Sequence, residues 1–318
     1  MKNLNRTHLL VALASIVCLL AGAAVAQAVS NKTATSKGVT FIRKANLSSF
    51  PGTGFRSDTI SALAAARKIG VSVPSKTMSK FLDPVEEESV NYAGSAGATA
   101  KLILAATALG RNPGCFGPKN NELNLPNILT SDYNAKSGQF GRTSFDHALA
   151  LLALKAAHEP ITKKAVTFAK DRRGKYGWNF AMSKSSGDDV ESSALMIEAL
   201  RAAGVSRKSS SLKSAYKWIT YQRNQDGGYN PDTPQGETQA DTTAYAIRAF
   251  DALGIVNSYS KNAKRSLRAL QQKNGGFRFS PTVKGDYLGI STANATLALS
   301  GQHYPVVARS KKSSGCNK

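Results

Sequence analysis

Cysteine is scarce in this sequence: Cys18, Cys115 and Cys316 are the only three in 318 residues. That excludes a disulfide-dense mini-fold, and no Cys/His spacing suits a zinc centre. Acid is scarce as well, with Asp+Glu 20 against Lys+Arg 42 and a formal net charge of +22. The basic residues are spread along the chain rather than gathered on one element with interleaved aromatics, so a nucleic-acid module is not expected. Gly at 26, Pro at 11 and 42% hydrophobic residues exclude the collagen-like and disordered classes. Past the first thirty residues no apolar run approaches the twenty or so needed to span a membrane.

What is present begins with an export signal. Lys2 and Arg6 form a positive start, Leu9 to Leu20 an apolar run, and Ala24-Val25-Ala26 or Ala26-Gln27-Ala28 a small-residue cleavage site. The chain therefore divides into a signal peptide over 1–28, a small polar linker over 29–40, a repeat domain over 41–304 and a basic tail over 305–318. The product is expected to be a secreted or extracytoplasmic monomer. There Cys115 and Cys316 are candidates for one disulfide, and the positive charge suits an anionic cell-wall polymer or simply a solvated face.

The repeat domain is built from a recurring unit. An acid or small residue, one or two hydroxyls, an Ala/Leu-rich stretch and a closing Gly recur from Asp58 to Gly70, Gly97 to Gly110, Glu191 to Gly204 and Asp241 to Gly254. Asp146 to His158 and a shorter Ser291 to Gly301 complete six. Gly70 to Gly301 takes five steps of about 46 residues, the period of stacked helical pairs. These helices are apolar on all sides and so must be buried on all sides. Their partners are amphipathic: Leu212, Ala215, Tyr216 and Ile219 recur at helical spacing while Lys213, Lys217 and Arg223 face elsewhere. Further outer helices are expected near 41–49, 74–82, 123–134 and 160–171. The fold class is all-α: an α/α toroid with six inner and six outer helices in a closed barrel. Its six inner N-termini converge on one mouth, with their partial positive charge and free N–H groups. That mouth is the expected ligand site.

Before the inner helices stands a second signature, glycine followed by an aromatic: Gly54-Phe55, Gly138-Gln139-Phe140, Gly177-Trp178, Gly228-Tyr229 and Gly276-Phe277. Outer helix, Gln, Gly-Gly-aromatic and then an inner helix opening D-x-T-A resembles the repeat of the terpenoid cyclase and protein prenyltransferase superfamily, the prenyltransferase and squalene oxidase repeat. More distantly it resembles the helical domain of cobalamin carriers. The resemblance covers residues 40–301 and implies the toroid strongly and an activity weakly.

The implied chemistries divide on particular residues. Cyclases of this class start their reaction from a D-x-D-D-T-A motif, in which carboxylate neighbours keep the middle acid protonated. Asp189-Val190-Glu191-Ser192-Ser193-Ala194 has two of the acids and Gln239-Ala240-Asp241-Thr242-Thr243-Ala244 one. Asp189, Glu191 and Asp241 are thus the catalytic candidates, while the competing reading makes Asp58, Asp146, Asp189, Glu191 and Asp241 helix caps. The prenyltransferase zinc ligands are absent at Asp241-Thr242-Thr243, and Gly114-Cys115-Phe116 departs from a thioester motif. A cobalamin carrier's second, β domain has no counterpart after the sixth inner helix, and a glycan hydrolase cleft lacks exposed Trp. No cofactor and no metal are expected. The function the sequence points to is binding of an apolar or isoprenoid-like ligand at the mouth. Its ligand-binding candidates are Phe140, Asp146, Trp178, Tyr229, Tyr245 and Tyr287. The alternatives are a cyclase-like lyase or isomerase using Asp189 and Glu191, and a non-enzymatic wall-associated protein acting through its basic outer helices.

Overall fold

A computed structural model of the chain describes residues 31–231, 236–283 and 287–308. The expected signal peptide lies outside them, as does most of the basic tail. Helices alternate along the chain. The outer set is α1 over 31–44, α3 (Ser75–Tyr92), α5 (Leu125–Ser131), α7 (Lys163–Asp171), α9 (Ser210–Tyr221) and α11 (Ser258–Ala269). The inner set is α2 (Gly52–Lys68), α4 (Ala96–Ala108), α6 (Ser144–Ala156), α8 (Val190–Ala202), α10 (Ala240–Ala252) and α12 (Leu288–Leu299). Each inner helix packs on the next, and α12 packs back on α2, so the inner ring closes. The α/α toroid expected from the repeat is therefore present. A short hairpin pairs Tyr133–Asn134 with Gln139–Phe140, a local addition to the all-α pattern.

The inner helices are apolar because neighbours cover them on every side: Leu149 to Leu154 of α6 and Ala194 to Leu200 of α8 are buried without a break. The outer helices bury one stripe each. In α9 Leu212, Ala215 and Ile219 are fully covered, while Lys213 and Lys217 are exposed.

Two boundaries differ from the sequence reading. The segment 29–40 is not a linker where it is described: 31–44 is helical, with Ala34, Thr35, Val39 and Ile42 buried. Its small polar composition hid a narrow buried stripe, which packs against the last repeat; Gln271 Nε2 donates to the Ala34 carbonyl at 2.9 Å. The second difference is α2, which starts at Gly52, so Gly54-Phe55 lies inside a helix and is not a turn. No described helix is long and apolar enough to cross a membrane.

One hydrogen bond recurs and explains both sequence signatures together. The backbone N–H of the turn aromatic donates to a hydroxyl in the first turns of the following inner helix: Trp178 to Ser193 at 2.8 Å, Tyr229 to Thr243 at 3.0 Å and Phe277 to Thr292 at 2.8 Å. In the hairpin repeat His147 replaces the hydroxyl, its Nδ1 accepting from Phe140 at 3.1 Å. Burial lowers the His147 pKa to about 4, which keeps the ring neutral and its Nδ1 an acceptor. An Asx turn precedes the aromatic, with Asp226 Oδ1 accepting from Gly228 N–H and Asn274 Oδ1 from Gly276 N–H. Gly227 sits at φ +93, where only glycine is unstrained, and a Cβ on Gly228 would collide with Thr238. The hydroxyl is thus a structural tie from inner helix to turn.

Replacing Thr243 by the near-isosteric Val removes this tie and leaves a buried N–H unpaired. Chemical denaturation should show a loss of about 1–3 kcal/mol. A loss below about 0.3 kcal/mol would contradict the tie.

Candidate functional site

The side chains on the ring axis are set by three inner helices that do not all touch one another. Glu198 (α8) and Arg248 (α10) form an ion pair at 3.1 Å, with both side chains fully buried. Tyr304, on the segment after α12, enters between the helices. Its backbone N–H donates to Glu198 Oε2 at 2.7 Å, and its hydroxyl donates to Asp58 Oδ1 (α2) at 3.2 Å. Helices α2 and α8 stand opposite each other in the ring, so a residue bonded to both lies on the axis. The Arg248 guanidinium is held between two rings, 4.3 Å from the Tyr245 centroid and 4.9 Å from that of Tyr304. Burial works against its charge, but Glu198, with Tyr245 and Tyr304, outweighs that and raises its pKa further. The axis at this level is filled, and its filling is polar.

The mouth lies above this plug, toward the inner-helix N-termini. From the solvent inward run Phe180, 59% exposed, then half-buried Phe145 at 5.9 Å and half-buried Tyr245 at a further 5.8 Å, which stacks on Arg248. This is a continuous column of rings from rim to axis. Opposite it, Lys101 (α4) pairs with Asp58 at 2.6 Å and lies 5.4 Å from the Phe55 ring, which is 39% exposed.

The five acids expected as caps have separate uses. Asp146 and Asp189 do cap. Asp146 closes a capping box with Thr143, and Asp189 Oδ1 accepts from Ser192 N–H while Oδ2 accepts from Phe180 N–H, which sets the rim aromatic in place. Asp58, Glu191 and Asp241 do not cap; they bond across to neighbouring elements. Asp241 accepts from Ser291 Oγ at 2.9 Å and Asn294 Nδ2 at 2.7 Å, both on α12. Glu191 Oε1 accepts from Thr242 Oγ1 of α10 at 2.6 Å.

Glu191 is chemically the most distinctive of them. Burial is the main cause that pushes its pKa up to about 7; the Thr242 hydrogen bond opposes this, and the Asp241 and Asp189 charges add to it. Burial also raises Asp189 and Asp241. The catalytic candidates Asp189, Glu191 and Asp241 are therefore brought into one electrostatic group in which burial raises all three, Glu191 to about 7.

The aromatic candidates separate. Tyr245 stands in the mouth. Tyr287 is 51% exposed and stacks on Phe279 at 5.3 Å, away from the ring column. Phe140, Trp178 and Tyr229 are buried between the layers, so they offer a ligand no surface. Trp178 Nε1 donates to the Ala169 carbonyl of α7, and Tyr229 packs on Phe250. Asp146 is occupied by its cap. Sequence reasoning missed Phe145, Phe180, Lys101, Glu198, Arg248 and Tyr304. Arg248 and Glu198 carried a signal, since each is a charge in the middle of an otherwise apolar inner helix. Among the described residues no cluster of three or more His, Cys, Asp or Glu is placed to hold a metal. Cys115 is disulfide-bonded, and the other two cysteines lie outside the described residues.

No protein-family model matches the sequence, and no curated protein matches it. Solved structures do resemble the fold. The type II terpene cyclase MstE from Scytonema superposes with a TM-score of 0.61 at 16% identity, over 86% of this chain and 98% of that one. A variant of the same cyclase in complex with geranylgeranyl dihydroxybenzoate gives 0.57 at 16% identity, over 87% and 98%. The ent-copalyl diphosphate synthase from Streptomyces platensis gives 0.51 at 14% identity, over 78% of this chain and 50% of that one. At these identities the likeness is one of fold: the chain has the α/α-toroid architecture of the type II terpene cyclases, as the repeat motif implied.

The raised Glu191 pKa has a thermodynamic consequence. Between its ordinary 4.5 and about 7 the folded state keeps a proton that the unfolded chain releases, so stability is lost as pH rises across that interval. Glu191→Gln, which is never charged, should match the wild type at pH 4. At pH 8 it should be the more stable by about 2–3 kcal/mol in chemical denaturation. A variant equally or less stable at pH 8 would show that Glu191 titrates normally.

Proposed function

We propose that the mouth binds an isoprenoid-like chain on the Phe180–Phe145–Tyr245 column, with the neutral Glu191 carboxyl beside it. The observation that carries this reading is the joining of a ring column, open to solvent at Phe180, to a half-buried acid whose pKa burial raises to about 7. Ring faces suit an unsaturated chain. A neutral carboxyl tolerates an apolar neighbour where a carboxylate would have to be desolvated. The geranylgeranyl group in the Scytonema cyclase complex supports the ligand class, since it occupies a protein of the same architecture. The plug of Arg248, Glu198 and Tyr304 restricts the site to the mouth, so one end of a long chain would remain outside.

A second reading, proton donation in a cyclase-like lyase or isomerase, is favoured by the Glu191 hydrogen bonds. Thr242 engages Oε1 and leaves Oε2 to carry the proton, which burial chiefly keeps there, with the Asp241 and Asp189 charges adding to it. A proton held near pH 7 reaches an epoxide oxygen more readily than an unactivated double bond. An exported setting accords with the disulfide at Cys115.

Equilibrium dialysis with geranylgeraniol tests the binding reading. Saturable binding should weaken at least fivefold between pH 6 and pH 8.5 in the wild type, and should stay nearly flat in Glu191→Gln. Absence of saturable binding, or an unchanged pH profile in the variant, would refute it. Incubation with an epoxidised polyprenol separates the second reading: a cyclised product lost in Glu191→Gln supports it, and no product from the wild type removes it.

A further inference from the structure

On the outer wall Tyr176, Ser214, Lys217, Trp218, Tyr221 and Gln222 line a groove of about 560 Å3. Tyr221, at the end of α9, is 65% exposed and Tyr176, on the loop before α8, 42%, an unusual outlay of aromatic surface beside the exposed Lys213 and Lys217. Trp218 is half-buried, its ring edge set against Gly177, where a Cβ would meet it. The loop that carries Tyr176 is fixed rather than loose. Asp188 Oδ2 accepts from Tyr176 N–H at 2.9 Å and Gly177 N–H at 3.0 Å. Arg173 Nη1 donates to the carbonyls of Lys175 and Tyr176 and to Ser214 Oγ, which joins loop to helix across the groove floor. The aromatic platform is thus organised before anything binds.

No part of the ring column, the axis or the repeat ties uses these rings. Their chemistry is that of a sugar-binding face: ring planes for C–H stacking, with Ser214, Gln222 and the two tyrosine hydroxyls as hydrogen-bonding groups around them. The charge of the lining is positive, and the Asp188 carboxylate is turned to the loop backbone. Lys217 lines the groove, Lys175 lies 5.1 Å from the Tyr176 ring, exposed Lys213 follows on α9, and no carboxylate is among the lining residues. We infer that this groove binds an anionic polysaccharide, stacking sugar rings on Tyr176, Trp218 and Tyr221 and pairing carboxylates with Lys175 and Lys217. The site is independent of the proposed isoprenoid mouth and would place the protein on an acidic glycan whatever the mouth holds.

Tryptophan fluorescence reads it directly, because Trp178 is sealed and Trp218 is not. Titration with an oligogalacturonate of about seven residues should change the emission of the full chain in a saturable way. The uncharged cello-oligosaccharide of equal length should bind at least tenfold more weakly. Tyr221→Ala, at a largely exposed position, should weaken oligogalacturonate about fivefold to tenfold. Lys217→Gln should weaken it and flatten the salt dependence, whereas Tyr287→Ala, an exposed aromatic at the start of α12 and outside the groove, should match the wild type. The inference is overturned if no saturable change occurs. It is equally overturned if binding is undiminished in Tyr221→Ala, which would mark diffuse charge attraction, or if a proline-rich peptide binds the groove in preference to the glycan.

Discussion

A charge pair sealed on the axis of the ring governs what the ring can do. Glu198 and Arg248 are both without solvent contact, and taking two ions out of water is costly unless every remaining donor and acceptor is used. The fold meets that demand only in part: Tyr304 bonds Glu198 through its backbone N–H and covers one face of the guanidinium, Tyr245 covers the other, and Arg248 Nη1 and Nη2 are buried with no hydrogen-bond partner. Losing either partner would leave a buried ion uncompensated, so the segment after α12 is a working part of the barrel. This cluster fills the axis of the closed ring at its own level.

The plug organises the chemistry above it. Tyr245 is shared, resting on Arg248 below and meeting Phe145 at its edge, so the plug also orients the inward end of the aromatic column. Burial then acts unequally on acids at similar helix positions. Asp189 satisfies its oxygens with backbone N–H groups and serves as a cap. Asp241 is tied to α12 through Ser291 and Asn294. Glu191, one methylene longer and with a single hydroxyl partner, is pushed by burial up to about 7, and burial raises Asp189 and Asp241 beside it.

The architecture was legible because its signals repeat. Hydroxyls after the acid, the Gly-aromatic turn and the Ala/Leu stretches occur in register, and each proved to be one end of a contact between layers, as Thr243 with Tyr229 shows. The site was less legible because its residues occur once. Phe145 and Phe180 lie in unremarkable positions of their repeats, and Tyr304 follows the last one; nothing local marks the first two as parts of one ring column or the third as part of the axis. Trp178, Tyr229 and Phe140 misled for the complementary reason: a recurrent aromatic beside a glycine is needed by the fold, and the fold buries it. The helix at 31–44 was hidden by its own composition, since small residues suffice where Gly38 packs directly against Thr292 and Thr296 of α12.

The central claim, that a ligand is held at the mouth above a polar plug, is tested most directly by photoaffinity labelling. A diazirine-bearing farnesol analogue would be photolysed on the protein and the adducts located by mass spectrometry. The account predicts labels on Phe145, Phe180 or Tyr245, suppressed by excess unlabelled farnesol. Competed labels confined to the axis around Tyr304 and Glu198, or to the layer between inner and outer helices around Trp178 and Phe250, would contradict it.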